Sequence, residues 1–212
     1  HMPAKGPAGD EMKPFRNSAA LIGDVAALRL RMAEDGYLFL PGLLPAAAVA
    51  DVQRRLGDIA RAAGWLAADR PVEESVADSA GFCVDPDTPF LNVLDTVNRV
   101  YEFHALGHHP VLTGFFESFL NDAVLVHPKG LPRFIFPGRR EYTTPAHQDF
   151  PNIQGSADVY TAWIPLIDCP PGVGGLQIAA GSHTMGVLDF DLGNGVGGVE
   201  IIDPLDGRWV GG

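Results

Sequence analysis

Four motifs between residues 147 and 183 are the most informative about the fold: His147-Gln-Asp149, Tyr160-Thr-Ala-Trp163-Ile-Pro-Leu166-Ile-Asp168, Gly174-Gly-Leu-Gln-Ile178 and Gly181-Ser-His183. Short apolar runs alternate here with Pro and Gly, which is typical of strands joined by tight turns. In an extended segment, residues two apart point to the same face, so His147 and Asp149 can both reach one metal ion. An imidazole nitrogen and a carboxylate oxygen are two of the three ligands that hold non-haem Fe(II). A loop histidine capped by an aspartate gives the same spacing, so the tripeptide alone leaves both interpretations open.

The order and spacing of these motifs resemble the phytanoyl-CoA dioxygenase (PhyH) family of Fe(II)/2-oxoglutarate oxygenases over residues 123–190. The resemblance implies a double-stranded β-helix, which is a flattened antiparallel barrel with the iron at one end. It also implies Fe(II) as cofactor, 2-oxoglutarate and O2 as co-substrates, and His147 and Asp149 as the iron ligands. Gln148 and Trp163 would lie beside the iron and 2-oxoglutarate, although a tryptophan in a strand is also a common core residue.

Three arginines, Arg133, Arg139 and Arg140, precede His147 in a chain with 15 basic residues. An arginine fork can hold a carboxylate, either of 2-oxoglutarate or of a substrate. We predict Arg133 as a cofactor-binding residue because it lies within a strand-like segment that leads to the motif. Arg139 and Arg140 are more typical of a solvated hairpin.

The family pattern also contains a third iron ligand, a second histidine, followed by an arginine that binds the far carboxylate of 2-oxoglutarate. Neither matches a residue of this sequence, because His183 is the only histidine after Asp149 and corresponds to a turn histidine that is not a ligand. We therefore expect the native chain to continue beyond Gly212 and to carry both residues there. The alternative is that His183 is the third ligand.

Apolar periodicity changes near Asn121. Before it, a helical period predicts helices over 25–36, 45–63, 93–104 and 110–120, and the acidic, aperiodic residues 66–90 are predicted to be a surface loop or lid. After it, strands are predicted over 123–127, 131–136, 159–164, 176–179 and 199–202. No helical pattern separates these strands, so we expect antiparallel pairing. The fold class is therefore α+β with a mainly β core, a jelly-roll or cupin-like double-stranded β-helix with N-terminal helices packed on one sheet.

We expect one oxygenase domain over residues 1–212. Residues 1–2 are interpreted as a tag remnant, residues 15–121 as the mainly helical part, and residues 122–212 as the β-helix part, incomplete at its C-terminal end.

Net charge and composition limit the classes of molecule that the protein is expected to bind. A net charge of -11 would repel phosphate backbones, so nucleic acid is not expected to bind. The longest uncharged stretch, Tyr37 to Ala50, contains two prolines and is shorter than the roughly 20 apolar residues that span a bilayer, so no membrane association is predicted. Two cysteines give no disulfide framework, which favours the reducing cytoplasm.

The sequence thus predicts an Fe(II)/2-oxoglutarate-dependent dioxygenase that hydroxylates an unactivated C–H bond of a small-molecule substrate. Asp149 favours hydroxylation, because in related halogenases a small residue replaces this carboxylate and chloride fills the gap. A related non-haem iron halogenase and a non-catalytic β-helix protein that binds a small ligand remain alternatives. A cupin-type isomerase is disfavoured, since such sites usually gather several histidines. Neither the substrate nor the oligomeric state follows from the sequence.

Overall fold

The computed structural model describes residues 12–139, 142, 144, 146–153, 155, 156, 159–170, 173–188, 190, 191, 200, 201 and 209–211. Six α-helices lie in these residues: α1 (Val25–Asp35), α2 (Ala46–Ala62), α3 (Thr88–Val97), α4 (Tyr101–Gly107), α5 (Pro110–Leu120) and α6 (Phe150–Ile153). The predicted helices over 25–36, 45–63 and 110–120 are confirmed. Among the described helices, none is both long and apolar enough to cross a bilayer.

Helix ends follow from the local sequence. Asp24 caps α1, because its Oδ1 accepts a hydrogen bond of 3.0 Å from the amide of Ala27. Gly36 ends α1 in the left-handed conformation at φ 78°, and its amide donates to Met32 O. Pro110 opens α5, where its missing N–H costs nothing.

The single helix predicted over 93–104 is wrong, because these residues belong to two separate helices, α3 and α4. The chain leaves helical geometry at Val100, where φ is -79° and ψ is 118°. The carbonyl of Asn98 lies 2.8 Å from His104 Nε2, so it accepts from a side chain rather than from a helical amide. Asparagine is a weak helix former, and the apolar spacing continues across the break, so periodicity does not detect it.

The largest core cluster in the described residues is formed by the helices and Trp65. Its buried members include Val52 and Leu56 of α2, Val97 of α3 and Leu106 of α4. The ring of Trp65 stacks on Phe90 and meets Phe134 and Phe136 edge-on, with centroid distances of 5.5, 5.2 and 5.7 Å. Aromatic pairs of this kind add to the hydrophobic gain of burial.

The strands predicted over 123–127, 131–136 and 159–164 are wrong, because none of these residues pairs with a neighbouring strand through backbone hydrogen bonds. Prolines within or beside them, Pro128, Pro132 and Pro165, have no amide to donate. Residues 131–136 nevertheless alternate between exposed and half-buried side chains, with Phe134 and Phe136 packed on the core. The segment therefore keeps the two-sided pattern of a strand.

Four short strands are present in the described residues: β1 (Gln177–Ala179), β2 (Phe190–Asp191), β3 (Glu200–Ile201) and β4 (Trp209–Gly211). They pair antiparallel as β1 with β4 and β2 with β3. The strand predicted over 176–179 is confirmed, and the one over 199–202 is confirmed at Glu200 and Ile201, while its two outer residues lie outside the described ones. A mainly β core is not confirmed, because the described ladders have only two strands each.

Two further sequence predictions need correction. The last predicted strand ends at residue 202, yet Trp209–Gly211 form β4, with Trp209 opposite Ala179. The predicted loop over 66–90 ends earlier, because α3 begins at Thr88. Its first part is organised by backbone bonds, since Ala67 N donates to Val76 O and Asp78 N to Trp65 O.

The turn that contains His183 is attached to the C-terminal end of α1. The amide of Gly181 donates to Asp35 O at 2.8 Å, and His183 Nε2 donates to Ala33 O at 3.1 Å. The His183 ring lies against Gly36, where an added Cβ would overlap it. These contacts join the N-terminal helices to the segment that follows β1.

Replacing Gly36 with Ala should destabilise the protein for two reasons, the left-handed backbone and the overlap with His183. We expect a loss of about 2–3 kcal/mol in the free energy of unfolding measured with urea. Gly42→Ala is the matched control, because Gly42 has φ 75° with nothing within 4 Å of an added Cβ, and it should lose only about 1–2 kcal/mol. The extra cost should vanish in a His183→Ala background. Equal losses at both glycines would contradict the account of this contact.

Candidate metal centre

His147 and Asp149 are brought together at the start of α6. Asp149 immediately precedes this short helix, and its carbonyl accepts a hydrogen bond of 2.9 Å from the amide of Ile153. Pro151 in the first turn suits a helix start, because the missing N–H has no partner there in any case. The backbone of Asp149 is therefore fixed, and its side chain emerges beside that of His147.

The two candidate ligand atoms face each other, with His147 Nε2 3.3 Å from Asp149 Oδ1. Metal bonds of roughly 2.1 Å at right angles would put two neighbouring ligand atoms about 3.0 Å apart. The observed separation is close to that edge length, and the pair of donor atoms, one imidazole nitrogen and one carboxylate oxygen, suits Fe(II). In donor type and spacing, these residues fit two positions of an iron site.

Thr161 holds the other oxygen of the carboxylate, and sequence reasoning missed it. Its Oγ1 donates to Asp149 Oδ2 at 2.5 Å. Each oxygen of Asp149 thus has its own neighbour, His147 at Oδ1 and Thr161 at Oδ2. The available signal was position, because Thr161 lies two residues before Trp163 and shares its face if the segment is extended.

Gln148 lies between the two ligands and bonds to the segment after the His183 turn. Its Nε2 donates to Gly186 O, and its Oε1 accepts from the amide of Leu188, both at 2.9 Å. The side-chain amide therefore bonds to the backbone of two residues, Gly186 and Leu188, that lie two positions apart. The prediction that Gln148 contacts 2-oxoglutarate stays a prediction.

The exposure of Trp163 distinguishes its two interpretations, a core residue and a residue beside the iron and 2-oxoglutarate. Its side chain is 42% exposed, so the alternative that Trp163 is a buried core residue is wrong. The adjacent Ile164 and Leu166 pack on the core instead. Trp163 therefore belongs to the face of this segment that carries Thr161.

Electrostatics favour an ionised Asp149. The hydrogen bond with His147 is the main cause that lowers the pKa of the Asp149 carboxyl, and burial opposes it. The hydrogen bond from Thr161 and the positive charge of Arg133 also lower this pKa, as does the charge of His147 when its ring is protonated. A carboxylate is the form that binds a metal, so these neighbours keep it ready for one.

The other predicted basic residues lie in different places. Arg133 is exposed, on the face of residues 131–136 that points away from the core, and its charge acts on Asp149. Arg139 instead stacks over the ring of Phe82 at 4.2 Å, and Arg140 lies outside the described residues. Because the charge of Arg133 lowers the pKa of the Asp149 carboxyl, this arginine is linked electrostatically to the candidate metal centre.

His183 is not brought together with His147 and Asp149. Its Nε2 is bonded to Ala33 O, at the end of α1. Within the described ranges, no three His, Cys, Asp or Glu side chains form a group that could hold a metal ion. The alternative that His183 is the third ligand therefore has no support from the arrangement of these residues.

Comparisons with known proteins agree with the motifs. The sequence profile of the phytanoyl-CoA dioxygenase (PhyH) family matches residues 32–194, a region that includes α2 to α6 and the candidate metal centre. The chain is similar to 1-deoxypentalenic acid 11-beta-hydroxylase from Streptomyces exfoliatus, with 28% identity over 84% of this chain and 61% of that protein. The protein of the same name from Streptomyces arenae is 26% identical over 86% of this chain and 63% of its own length.

The chain thus spans about three fifths of the length of these curated relatives. No solved structure gives a significant match. The PhyH family has a cupin-like jelly-roll fold, and its matched region covers most of the residues described above. The chain therefore belongs to the phytanoyl-CoA dioxygenase (PhyH) family.

Proposed function

We propose that this protein is an Fe(II)/2-oxoglutarate-dependent dioxygenase that hydroxylates a small molecule. The observation that carries the proposal is the 3.3 Å separation of His147 Nε2 and Asp149 Oδ1 inside the region that matches the family. The curated relatives support it, because their names describe hydroxylases. A single motif match would be weaker, since it would say nothing about where the side chains lie.

The residues of this chain would hold the iron and leave room beside it. Bound Fe(II), 2-oxoglutarate and O2 supply the oxidation, in which one oxygen atom enters the substrate and 2-oxoglutarate becomes succinate and CO2. His147 Nε2 and Asp149 Oδ1 would bind the iron as neighbours. Trp163, exposed on the Thr161 face, would form part of the pocket wall and exclude water.

Asp149 favours hydroxylation over chlorination. A halogenase of this type lacks the carboxylate, and a halide takes its place on the iron. Here the carboxylate is present, ionised and held on both oxygens. A halide would have to displace an ionised carboxylate whose Oδ2 accepts a hydrogen bond from Thr161.

The substrate that we propose is a small carboxylic acid with an apolar skeleton. Leu131 and Ile135 are 50% and 61% exposed on either side of Arg133, so a cation lies within an apolar face. An apolar skeleton would cover such a face, and the guanidinium would bind its carboxylate. The relatives are named for a carboxylic acid, which is consistent with this chemistry. The carboxylate of 2-oxoglutarate is the competing ligand of Arg133.

We also propose that the residues after α5 form part of a jelly roll and belong to one domain with the helices. The antiparallel ladders and the alternating exposure of residues 131–136 and 163–167 support it. The bonds from Gly181 and His183 to α1 support one domain rather than two. The cytoplasm is the location that we propose, since Cys83 and Cys169 are both free thiols.

Replacing His147 with Ala should abolish iron-dependent succinate formation, because one of the two neighbouring ligands is lost. The measurement is succinate released during aerobic incubation with Fe(II), ascorbate and 2-oxoglutarate, which proceeds slowly even without the substrate. His108→Ala is the control, because His108 is an exposed histidine at the end of α4, and it should keep the wild-type rate. Succinate from the His147 variant would sink the ligand assignment. No succinate from the wild-type protein would favour the ligand-binding alternative.

Replacing Arg133 with Gln should weaken the binding of one carboxylate without changing the fold. If it binds the substrate, we expect the KM for the substrate to rise by about tenfold or more while the KM for 2-oxoglutarate stays constant. Arg99→Gln is the control, because Arg99 is exposed and pairs with Asp95 on α3. A rise in the KM for 2-oxoglutarate alone would assign Arg133 to the co-substrate, and unchanged values would exclude both roles.

A further inference from the structure

The Asp149 carboxylate has two constraints that act at different points of the residue. Its backbone carbonyl accepts from Ile153 N, which fixes the main chain at the start of α6. The side chain could still rotate, because the terminal torsion of an aspartate has a broad, two-fold energy profile. The bond from Thr161 to Oδ2 removes that freedom and leaves Oδ1 towards His147.

Thr161 is itself well placed to act as a fixed donor. A β-branched residue has few χ1 rotamers, so its hydroxyl has a defined direction. Three and five residues further on, Ile164 and Leu166 pack against the helical core, which anchors the backbone of this segment. The side chain of Thr161 is exposed, but the segment that carries it is attached to the core through these two residues.

We infer that Thr161 is a positioning residue of the metal centre, which holds Asp149 Oδ2 so that Oδ1 alone is offered to the metal beside His147 Nε2. This inference rests on the proposed function, since it concerns the same pair of ligands. Partners of this kind usually contribute about 10–100-fold to metal affinity, because they fix the orientation of the ligand. Without Thr161, the carboxylate could rotate, and Oδ1 would no longer be held beside His147 Nε2, so metal binding would first have to restrict that rotation.

The test is the affinity of the protein for Mn(II) alone, measured by electron paramagnetic resonance, together with the visible spectrum of the Co(II)-loaded protein. Thr161→Val keeps the shape of the side chain and removes the hydroxyl, so we expect about 10–100-fold weaker Mn(II) binding and a changed Co(II) spectrum. Thr161→Ser keeps the hydroxyl with a less restricted χ1, so its affinity should be intermediate. Thr161→Ala, which adds no bulk, should resemble the Val variant.

Thr96→Val is the matched control, because Thr96 is an exposed threonine on α3 whose Oγ1 donates to Asn92 O. It should lose a comparable hydrogen bond and leave both metal readouts unchanged. A merely structural role of Thr161 would lower the unfolding midpoint of the Val and Ala variants with wild-type Mn(II) affinity, and that result would overturn the inference.

The Mn(II) measurements distinguish a failure of the Thr161 inference from a failure of the proposed function. Wild-type affinity in Thr161→Val, with Mn(II) binding lost in His147→Ala, would overturn the role of Thr161 and leave the metal centre intact. If the wild-type protein bound no Mn(II), both proposals would fail. Weakened binding in the Val and Ala variants with partial rescue by Ser would support both.

Discussion

The Asp149 carboxylate is held through both of its oxygens, and the candidate metal centre depends on this arrangement. His147 faces Oδ1 and Thr161 binds Oδ2, while the backbone of the same residue starts α6. An aspartate on a free loop would lose rotational entropy on metal binding, whereas here that cost is met during folding. His147 Nε2 and Asp149 Oδ1 are therefore already spaced as neighbouring ligand atoms, and a metal ion can bind both with little movement of the side chains.

The same tripeptide is tied to distant parts of the fold. Gln148 binds the backbone at Gly186 and Leu188, and the turn just before them is attached to the end of α1 through His183. A continuous series of hydrogen bonds thus runs from the first long helix to the residue between the two ligands. Such a connection ties the ligand segment to the helical part of the protein, which keeps it in place.

The features that the sequence predicts are those that depend on residues close together in the chain. The helices α1, α2 and α5 follow from short-range apolar spacing, and the shared face of His147 and Asp149 follows from a separation of two residues. Strand pairing is not local, because a strand exists only with a hydrogen-bonded neighbour, and so β4 was missed and residues 131–136 were wrongly assigned to a ladder. Thr161 was missed for a related reason, since its partner lies twelve residues away in sequence and threonine is common in extended segments.

One metal ion should bind between His147 Nε2 and Asp149 Oδ1, and crystals of the protein grown with Mn(II) would show where it lies. Anomalous scattering at the manganese absorption edge locates the ion independently of the protein atoms. We expect one peak at roughly 2.1–2.3 Å from both His147 Nε2 and Asp149 Oδ1, with Asp149 Oδ2 still bonded to Thr161. A peak elsewhere, or none between these two atoms at saturating Mn(II), would contradict it.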